Sequence, residues 1–189
     1  MTGGGTRLPI VDGDRRPEET PGFQRIAVVG LGAVGGSLAA ALRRAWPAAL
    51  VIGVDTTEVI ETAMRMHAVD VGSADLMIAG EADLVVLAGA ADENARVMPC
   101  LAEAIAGEAV VLALGDASAV AASAPVLPDR LTLVAGLPGV ELRGRGIHAS
   151  SVDLFRGRRW TVTSITAPAG SIERINGLVR AVGADPSAV

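Results

Sequence analysis

The chain has 189 residues, a length that suits one domain with a full hydrophobic core. Its formal net charge is -5 and all 16 basic residues are arginines, so the overall charge does not favour nucleic-acid binding, and chemistry that needs a lysine amine is excluded. The single cysteine, Cys100, excludes an internal disulfide and a metal site built from several cysteines. We expect Cys100 to be a small buried residue of a helix and expect no metal cofactor.

The first residues of the chain, 1–22, combine glycine, proline and mixed charge without the apolar segment of a secretory signal. We expect a disordered leader there and one domain over residues 23–189. The longest apolar run, residues 26–42, is interrupted by glycines and does not resemble a membrane span. These features predict a cytoplasmic protein that binds neither a membrane nor a nucleic acid.

From Gln24 onward, short β-branched runs alternate with alanine-rich helical stretches, which predicts βαβ units around a mainly parallel sheet. Six strands are predicted, over Arg25–Val29, Leu50–Val54, Asp83–Ala88, Ala109–Leu114, Leu131–Ala135 and Arg159–Thr163. Five helices are predicted, over Val34–Ala45, Glu58–His67, Glu93–Ala106, Ala117–Ser123 and Ser171–Val182. The first, third and fourth strands are almost continuously apolar, which is typical of strands covered by helices on both faces.

A glycine-rich turn, VVGLGAVGG, stands between the first strand and the first helix. Gly30, Gly32 and Gly35 have the G-x-G-x-x-G spacing of a dinucleotide-binding turn. In such a turn the first glycine allows the tight bend, the second lets backbone approach a pyrophosphate, and the third lets the helix pack on the strand. The N–H groups around Ala33 and Val34, at the helix start, would face the phosphate. We therefore predict a Rossmann-like, doubly wound α/β domain.

Asp55 directly follows the second predicted strand, 20 residues after Gly35. A carboxylate at this position accepts hydrogen bonds from an adenosine ribose and repels a 2′-phosphate. Thr56 and Thr57 follow it, so no adjacent arginine could receive that phosphate. The pattern predicts NAD rather than NADP as the cofactor. The alternative is that the glycines serve packing alone.

Three segments, VVGLGAVGGSLAAAL, ADLVVLAG and GLPGVELRGRGIHASSVDLFRGRRWTVT, together with Asp55, resemble the nucleotide-binding domain of the prephenate and arogenate dehydrogenase family. The resemblance covers about residues 25–184. It implies oxidation of prephenate or arogenate with NAD(P), in which decarboxylation accompanies hydride transfer. It also implies a Gly-His-Pro turn that carries the family's catalytic histidine.

The chain departs from the family's pattern at two residues and in its extent. Leu137 stands where the family has its catalytic histidine, and leucine can neither orient a substrate hydroxyl nor take its proton. Asp116 stands in the place of a substrate-contacting serine, where its charge opposes a dicarboxylate. The family continues into an all-helical domain, whereas these residues end at GADPSAV. We therefore expect a substrate other than prephenate, and a homo-oligomer or a partner chain that closes the cleft.

Two residues are candidates for the acid–base group that replaces the lost histidine. His148 is the imidazole predicted near the cleft, and the alternative is a loop histidine without a role. Asp116 follows the end of a strand and could also transfer a proton, but we favour a role for it in capping the next helix. The other histidine, His67, closes a predicted helix, where its charge would suit the C-terminal end.

The late segment RGRGIHASSVDLFRGRR contains five arginines. Most of them are expected to be solvated. Arg143 and Arg145 are the preferred pair for binding a carboxylate or phosphate, because a guanidinium group matches the geometry of both anions. Leu112, Leu114 and Leu137 are predicted to make the remaining lining of the cleft apolar.

Three classes of function remain open, because the fold alone does not decide among them. The first, which we favour, is a divergent NAD-dependent oxidoreductase that acts on a small or apolar intermediate and uses His148 or Asp116. The second is a repurposed scaffold that catalyses a non-redox isomerisation or cyclisation in specialised metabolism. The third is a non-catalytic dinucleotide sensor or partner subunit.

Overall fold

The computed structural model describes residues 22–188, which alternate between strands and helices. Within these residues the chain forms eight β-strands: β1 Arg25–Val29, β2 Leu50–Val54, β3 Val71–Ser73, β4 Leu84–Leu87, β5 Ala109–Leu114, β6 Leu131–Pro138, β7 Arg159–Ser164 and β8 Asp185–Ala188. The same residues form five α-helices: α1 Ala33–Ala45, α2 Thr57–Arg65, α3 Ala91–Ala104, α4 Ala117–Ser123 and α5 Ala169–Ala181. The predicted leader lies outside the described residues, apart from Gly22.

All eight strands join one sheet in the order β3-β2-β1-β4-β5-β6-β7-β8 across the described residues. Neighbouring strands are parallel except for β6 and β7, which are antiparallel. This confirms the predicted doubly wound, mainly parallel fold. Because β7 runs against β6, its first residues lie beside the end of β6, and Trp160 pairs with Pro138. The carboxyl ends of β1, β2, β4, β5 and β6 therefore share an edge with the start of β7.

The six predicted strands are all present, and β6 continues to Pro138 instead of ending at Ala135. β3 and β8, the two outermost strands of the sheet, were not predicted from the sequence. Their sequences, VGS and DPSA, carry no apolar alternation. An edge strand pairs on one side only and therefore tolerates a proline, which leaves little local signal to detect.

The predicted helices are also present, with shifts of one or two residues at most ends and none for α4. α2 ends at Arg65, before the predicted end at His67. His67 follows with a left-handed backbone (φ 54°), and its N–H donates to the Met64 carbonyl at 3.0 Å. The histidine therefore closes this helix through its main chain.

Cys100 is exposed on α3, so the prediction that it is buried is wrong. The buried face of this helix is formed by Asn94, Met98 and Leu101, which follow one another at helical spacing. Cys100 falls outside that spacing. Its apolar neighbours in sequence therefore do not indicate its environment.

Two apolar layers cover the sheet, one on each face. α1, α2 and α5 pack on one face, and α3 and α4 pack on the other. Residues alternate between the two layers along each central strand: Ile26 and Val28 of β1 belong to the first layer, whereas Ala27 belongs to the second. This arrangement explains the continuous apolar runs, because a strand buried on both faces has no polar side.

α1 packs against the end of β1 at Gly35. A Cβ atom at this position would overlap the carbonyl oxygen of Gly30 and lie 3.0 Å from the Cβ of Ala88. The end of a flexible side chain could move aside, but backbone atoms cannot. The short distance between α1 and β1 therefore requires a residue without a side chain at this position. The packing role predicted for Gly35 is confirmed.

We expect Gly35→Ala to destabilise the protein by about 1–3 kcal/mol, because α1 must move away from the turn to admit the methyl group. Gly177→Ala, in α5, is the matched control, since no atom lies within 4 Å of its would-be Cβ. The control should raise the free energy of unfolding by about 0.4–1 kcal/mol, because alanine has less conformational freedom than glycine in the unfolded chain. Urea unfolding measures both changes, and equal effects of the two substitutions would contradict the packing argument.

Candidate functional site

The glycine turn joins β1 to α1 at the edge where the parallel strands end. Gly30 has a φ of 89°, a conformation that is strained for residues with a Cβ. Its N–H donates to the Val54 carbonyl at 2.9 Å and so ties the turn to the end of β2. A Cβ on Gly30 would also lie 3.1 Å from the nitrogen of Gly89, after β4. The tight bend predicted for Gly30 is confirmed.

The start of α1 is open to an anion. Gly32 is the N-cap, no side chain caps this end, and the first turn contains no acidic residue. Gly36 donates to the Gly32 carbonyl at 2.8 Å, so the N–H groups of Ala33, Val34 and Gly35 precede the first bonded turn and have no intrahelical acceptor. No atom lies within 4 Å of a Cβ built on Gly32, which leaves room for backbone to approach a ligand. These features fit the pyrophosphate of a dinucleotide.

Asp55 connects the end of β2 to the glycine turn. One carboxylate oxygen accepts the Leu31 N–H at 2.7 Å, and the other accepts the Thr56 N–H at 2.7 Å. The two bonds hold the half-buried carboxylate beside Gly30 and orient it. Each oxygen keeps further lone-pair capacity, which suits two donors from one ribose.

A cavity of about 260 Å³ lies between the glycine turn and α3. It is lined by Val29, Gly30, Val54, Asp55, Ala74, Gly89, Glu93, Asn94 and Val97. The structure thus brings two of the predicted cofactor-binding residues, Gly30 and Asp55, into one site. The wall formed by Ala74 and α3 was missed from the sequence. The available signal was positional, since these residues follow the ends of β3 and β4, where ligands bind in open parallel sheets.

The segment that contains His148 is docked on α1. Ile147 lies over Gly36, where any side chain would overlap it. The buried Ser37 hydroxyl accepts the Ser151 N–H at 2.8 Å, and Arg44 pairs with Asp153 at 2.9 Å. These contacts hold the 3₁₀ turn Ile147–Ala149 against the helix that carries the glycine turn.

Within that segment, His148 and the arginine pair point to solvent. His148, Arg143 and Arg145 are exposed, and none has a hydrogen-bonding or ionic partner among residues 22–188. Arg156 and Arg158 are exposed as well, as predicted for solvated arginines. None of these side chains lines the 260 Å³ cavity. Their predicted roles in catalysis and anion binding therefore remain predictions.

Asp116 caps α4, which confirms the role favoured for it. Its Oδ1 accepts the N–H groups of Ser118 at 3.0 Å and Ala119 at 3.2 Å. The preceding residue, Gly115, donates to the Gly136 carbonyl at 2.9 Å and so joins the ends of β5 and β6. Asp116 therefore lies at the edge near Leu137, with its other carboxylate oxygen outside the cap.

The three leucines predicted to line the cleft do not form one surface. Leu112 is fully buried in the core. Leu114 pairs with Gly136, and paired residues of parallel strands share a face, so the next residue, Leu137, points to the opposite face. Leu137 is 46% exposed, whereas Leu114 packs against the layer formed by α1, α2 and α5. The prediction of a shared apolar lining is therefore wrong, because alternation along β6 separates the side chains.

No helix within residues 22–188 is long and apolar enough to cross a membrane. The same residues contain no group of three or more His, Cys, Asp or Glu side chains that could hold a metal ion.

The glycine turn, the open helix start and the carboxylate directly after β2 together define a Rossmann-like nucleotide-binding domain. The family model described as "Prephenate dehydrogenase, nucleotide-binding domain" matches residues 38–186, which is most of the chain. The chain belongs to this family, as its sequence motifs indicated. A search of curated proteins gave no match.

Solved structures of dehydrogenases have the same fold. Arogenate dehydrogenase from Synechocystis has a TM-score of 0.76 at 21% identity, with 88% of this chain and 59% of that chain covered. Prephenate dehydrogenase from Aquifex aeolicus has a TM-score of 0.78 at 22% identity, with 87% and 60% covered. The A. aeolicus enzyme in complex with hydroxyphenyl propionate and NAD+ has a TM-score of 0.77 at 21% identity, with 88% and 59% covered. This chain thus spans about 60% of the length of these structures, and the likeness establishes the fold.

We expect Ser37→Ala to release the docked segment, because it removes the acceptor of the Ser151 N–H. The free energy of unfolding should fall by about 0.5–1.5 kcal/mol, and amide hydrogen exchange at Ser151 should become faster. Ser123→Ala is the matched control. The Ser37 hydroxyl donates to the Ala33 carbonyl, and the Ser123 hydroxyl likewise donates to the carbonyl four residues earlier, at 2.8 Å, but Ser123 is exposed. The control should change stability by less than about 0.5 kcal/mol. Unchanged exchange at Ser151 in the first variant would contradict the docking role of Ser37.

Proposed function

We propose that this chain binds NAD in the cleft beside the glycine turn and acts as a divergent NAD-dependent oxidoreductase. The observation that carries the proposal is the placement of Asp55, whose carboxylate is fixed against the turn by the Leu31 N–H at 2.7 Å and lines a cavity beside the open start of α1. Family membership supports the same reading. When bound, NAD supplies the acceptor for a hydride from the substrate.

The chain's own residues would bind the dinucleotide through two kinds of contact. The N–H groups at the start of α1 bind the pyrophosphate, where the partial positive charge of the helix end favours an anion. Asp55 accepts hydrogen bonds from the adenosine ribose. Thr56 and Thr57 offer no cation to a 2′-phosphate, so NAD is preferred over NADP.

The substrate we propose is a small or apolar intermediate rather than prephenate. Leu137, next to the last residue of β6, stands where the resemblance would require an imidazole, and it is 46% exposed at that edge. An apolar side chain cannot bind the substrate hydroxyl or accept its proton. Arg143 and Arg145, exposed beyond β6, bind a carboxylate or phosphate if the substrate carries one.

The proton-accepting group we propose is His148, with Asp116 as the alternative. His148 is exposed, and its 3₁₀ turn is held on α1 by Ile147 and by the hydrogen bond from Ser151 to Ser37. The Oδ1 of Asp116 already accepts two backbone N–H groups of α4. A neutral imidazole has an unprotonated ring nitrogen that can accept the proton of a substrate hydroxyl.

Another polypeptide surface is proposed to close the cleft, from a second copy of this chain or from a partner chain. Leu137 and Leu142, at and beyond the end of β6, are 46% and 50% exposed. Exposed arginines adjoin them, and interfaces are enriched in arginine around an apolar centre. Light scattering of the purified protein reports whether copies of the chain associate.

Calorimetric titration with NAD and NADP tests the proposed cofactor. We expect NAD to bind more tightly than NADP, and Asp55→Asn to weaken NAD binding by about tenfold, because hydrogen bonds to a charged group are lost. Glu58→Gln is the matched control, since Glu58 is an exposed acid near the same edge that does not line the cavity. Binding of neither nucleotide to the unchanged chain would refute the proposed function.

Cofactor reduction with a panel of hydroxy acids and apolar alcohols, including prephenate, tests the proposed chemistry. We expect turnover with a member other than prephenate, and a loss of about 100-fold in kcat for His148→Gln with unchanged NAD affinity. His67→Gln, at the chain's other histidine, should leave kcat unchanged.

Several results of that panel would contradict this reading. Oxidation of prephenate by the unchanged chain would refute the proposed substrate class. Turnover without added nucleotide would indicate the non-redox alternative, and NAD binding without any turnover would indicate a sensor. Equal loss of kcat in both histidine variants would show that His148 has no special role.

A further inference from the structure

We propose that Glu93 is a second specificity-determining carboxylate of the nucleotide cavity, which acts with Asp55 to select an adenosine ribose without a 2′-phosphate. The inference rests on the proposed binding of NAD. It assigns a role to a residue of α3 that the glycine turn and the strand-ending aspartate do not predict.

Glu93 lies on the wall of the cavity formed by α3. It is four residues before Val97, and residues at this spacing share one face of a helix. Both line the cavity, together with Asp55, which directly follows β2 on the glycine-turn side. Two carboxylates from distant parts of the chain therefore line the same cavity.

One oxygen of Glu93 remains available to a ligand. Its Oε2 accepts the Ala90 N–H at 3.0 Å, which caps the start of α3. Its Oε1 has no hydrogen bond or ion pair to any residue between 22 and 188. The capping bond fixes the direction of the side chain, and the free oxygen can accept a hydrogen bond from a hydroxyl or amino group of adenosine.

The backbone beside Glu93 is fixed by a buried amide. Asn94 is 4% exposed; its side chain accepts the Gly89 N–H at 3.1 Å and donates to the carbonyls of Leu87 at 3.3 Å and Gly89 at 3.1 Å. A Cβ on Gly89 would lie 2.9 Å from Oε2 of Glu93. The turn after β4 therefore places this carboxylate by direct contact, and the absence of a side chain at Gly89 makes room for it.

The charge of the cavity gives the selectivity its physical basis. Its lining contains two acids, Asp55 and Glu93, and no arginine or histidine. A phosphate on the ribose would bring a further negative charge to two carboxylates with no cation to offset it. The hydroxyl and amino groups of unphosphorylated adenosine are donors and fit two acceptors. Discrimination against NADP is thus shared between Asp55, after β2, and Glu93, on α3.

The test is the ratio of the dissociation constants for NADP and NAD, measured by calorimetry on the full chain and its variants. Glu93→Gln keeps an oxygen that can cap the Ala90 N–H but removes the charge. We expect the NADP-to-NAD ratio to fall about fivefold in this variant, the size of a partly exposed charge interaction. Glu103→Gln removes one exposed charge from the same helix outside the cavity and should leave the ratio unchanged.

A purely structural role for Glu93 predicts a different pattern. Glu93→Ala would then lower stability and both affinities in parallel, Glu93→Gln would restore them, and the ratio would not move. That result would overturn the inference while leaving NAD binding intact. An equal fall of the ratio in Glu93→Gln and Glu103→Gln would also overturn it, because it would reflect net charge alone. Failure of the unchanged chain to bind either nucleotide would overturn both this inference and the proposed function.

Discussion

The close approach of α1 to the end of β1 is the constraint on which the rest of the site depends. Gly35 has no side chain to separate the helix from the carbonyl of Gly30, so the helix starts directly at the edge of the sheet. The neighbouring Gly36 and Ser37 face away from this contact and receive the segment around Ile147 and Ser151. One short stretch of small residues therefore positions both the open helix start and the loop that carries His148.

The two halves of the site differ in how they are built. The cofactor half uses backbone N–H groups and carboxylates held by backbone bonds, as at Asp55, so it depends little on flexible side chains. The half proposed to bind the substrate, at the ends of β5 and β6, has Leu137 where the family resemblance implies an imidazole, and its Asp116 is engaged in a helix cap. In the proposed function, cofactor binding and chemistry therefore use different residues of one scaffold.

Charge is distributed unevenly between these halves. Both charged residues that line the nucleotide cavity, Asp55 and Glu93, are acids, whereas exposed arginines between residues 143 and 159 adjoin the end of β6 and the start of β7. Net charge of -5 therefore describes neither region. This distribution favours the proposed binding of an unphosphorylated ribose in the cavity.

Local sequence determined most of the fold and the core of the cofactor site. Gly30, Gly35 and Asp55 were identified because a tight turn, a close packing contact and a strand-ending carboxylate each require a particular residue type at a particular spacing. Asp116 was identified as a cap for the same reason.

Only the tertiary structure decided the other wall of the cavity, since Ala74, Glu93 and Val97 come from distant parts of the chain. It also decided that Cys100 is exposed, that Leu112, Leu114 and Leu137 do not share a surface, and that β3 and β8 pair at the sheet edges. These features depend on which elements lie next to each other, and packing across the whole sheet decides that. The spacing of residues within one segment indicates only the conformation of that segment.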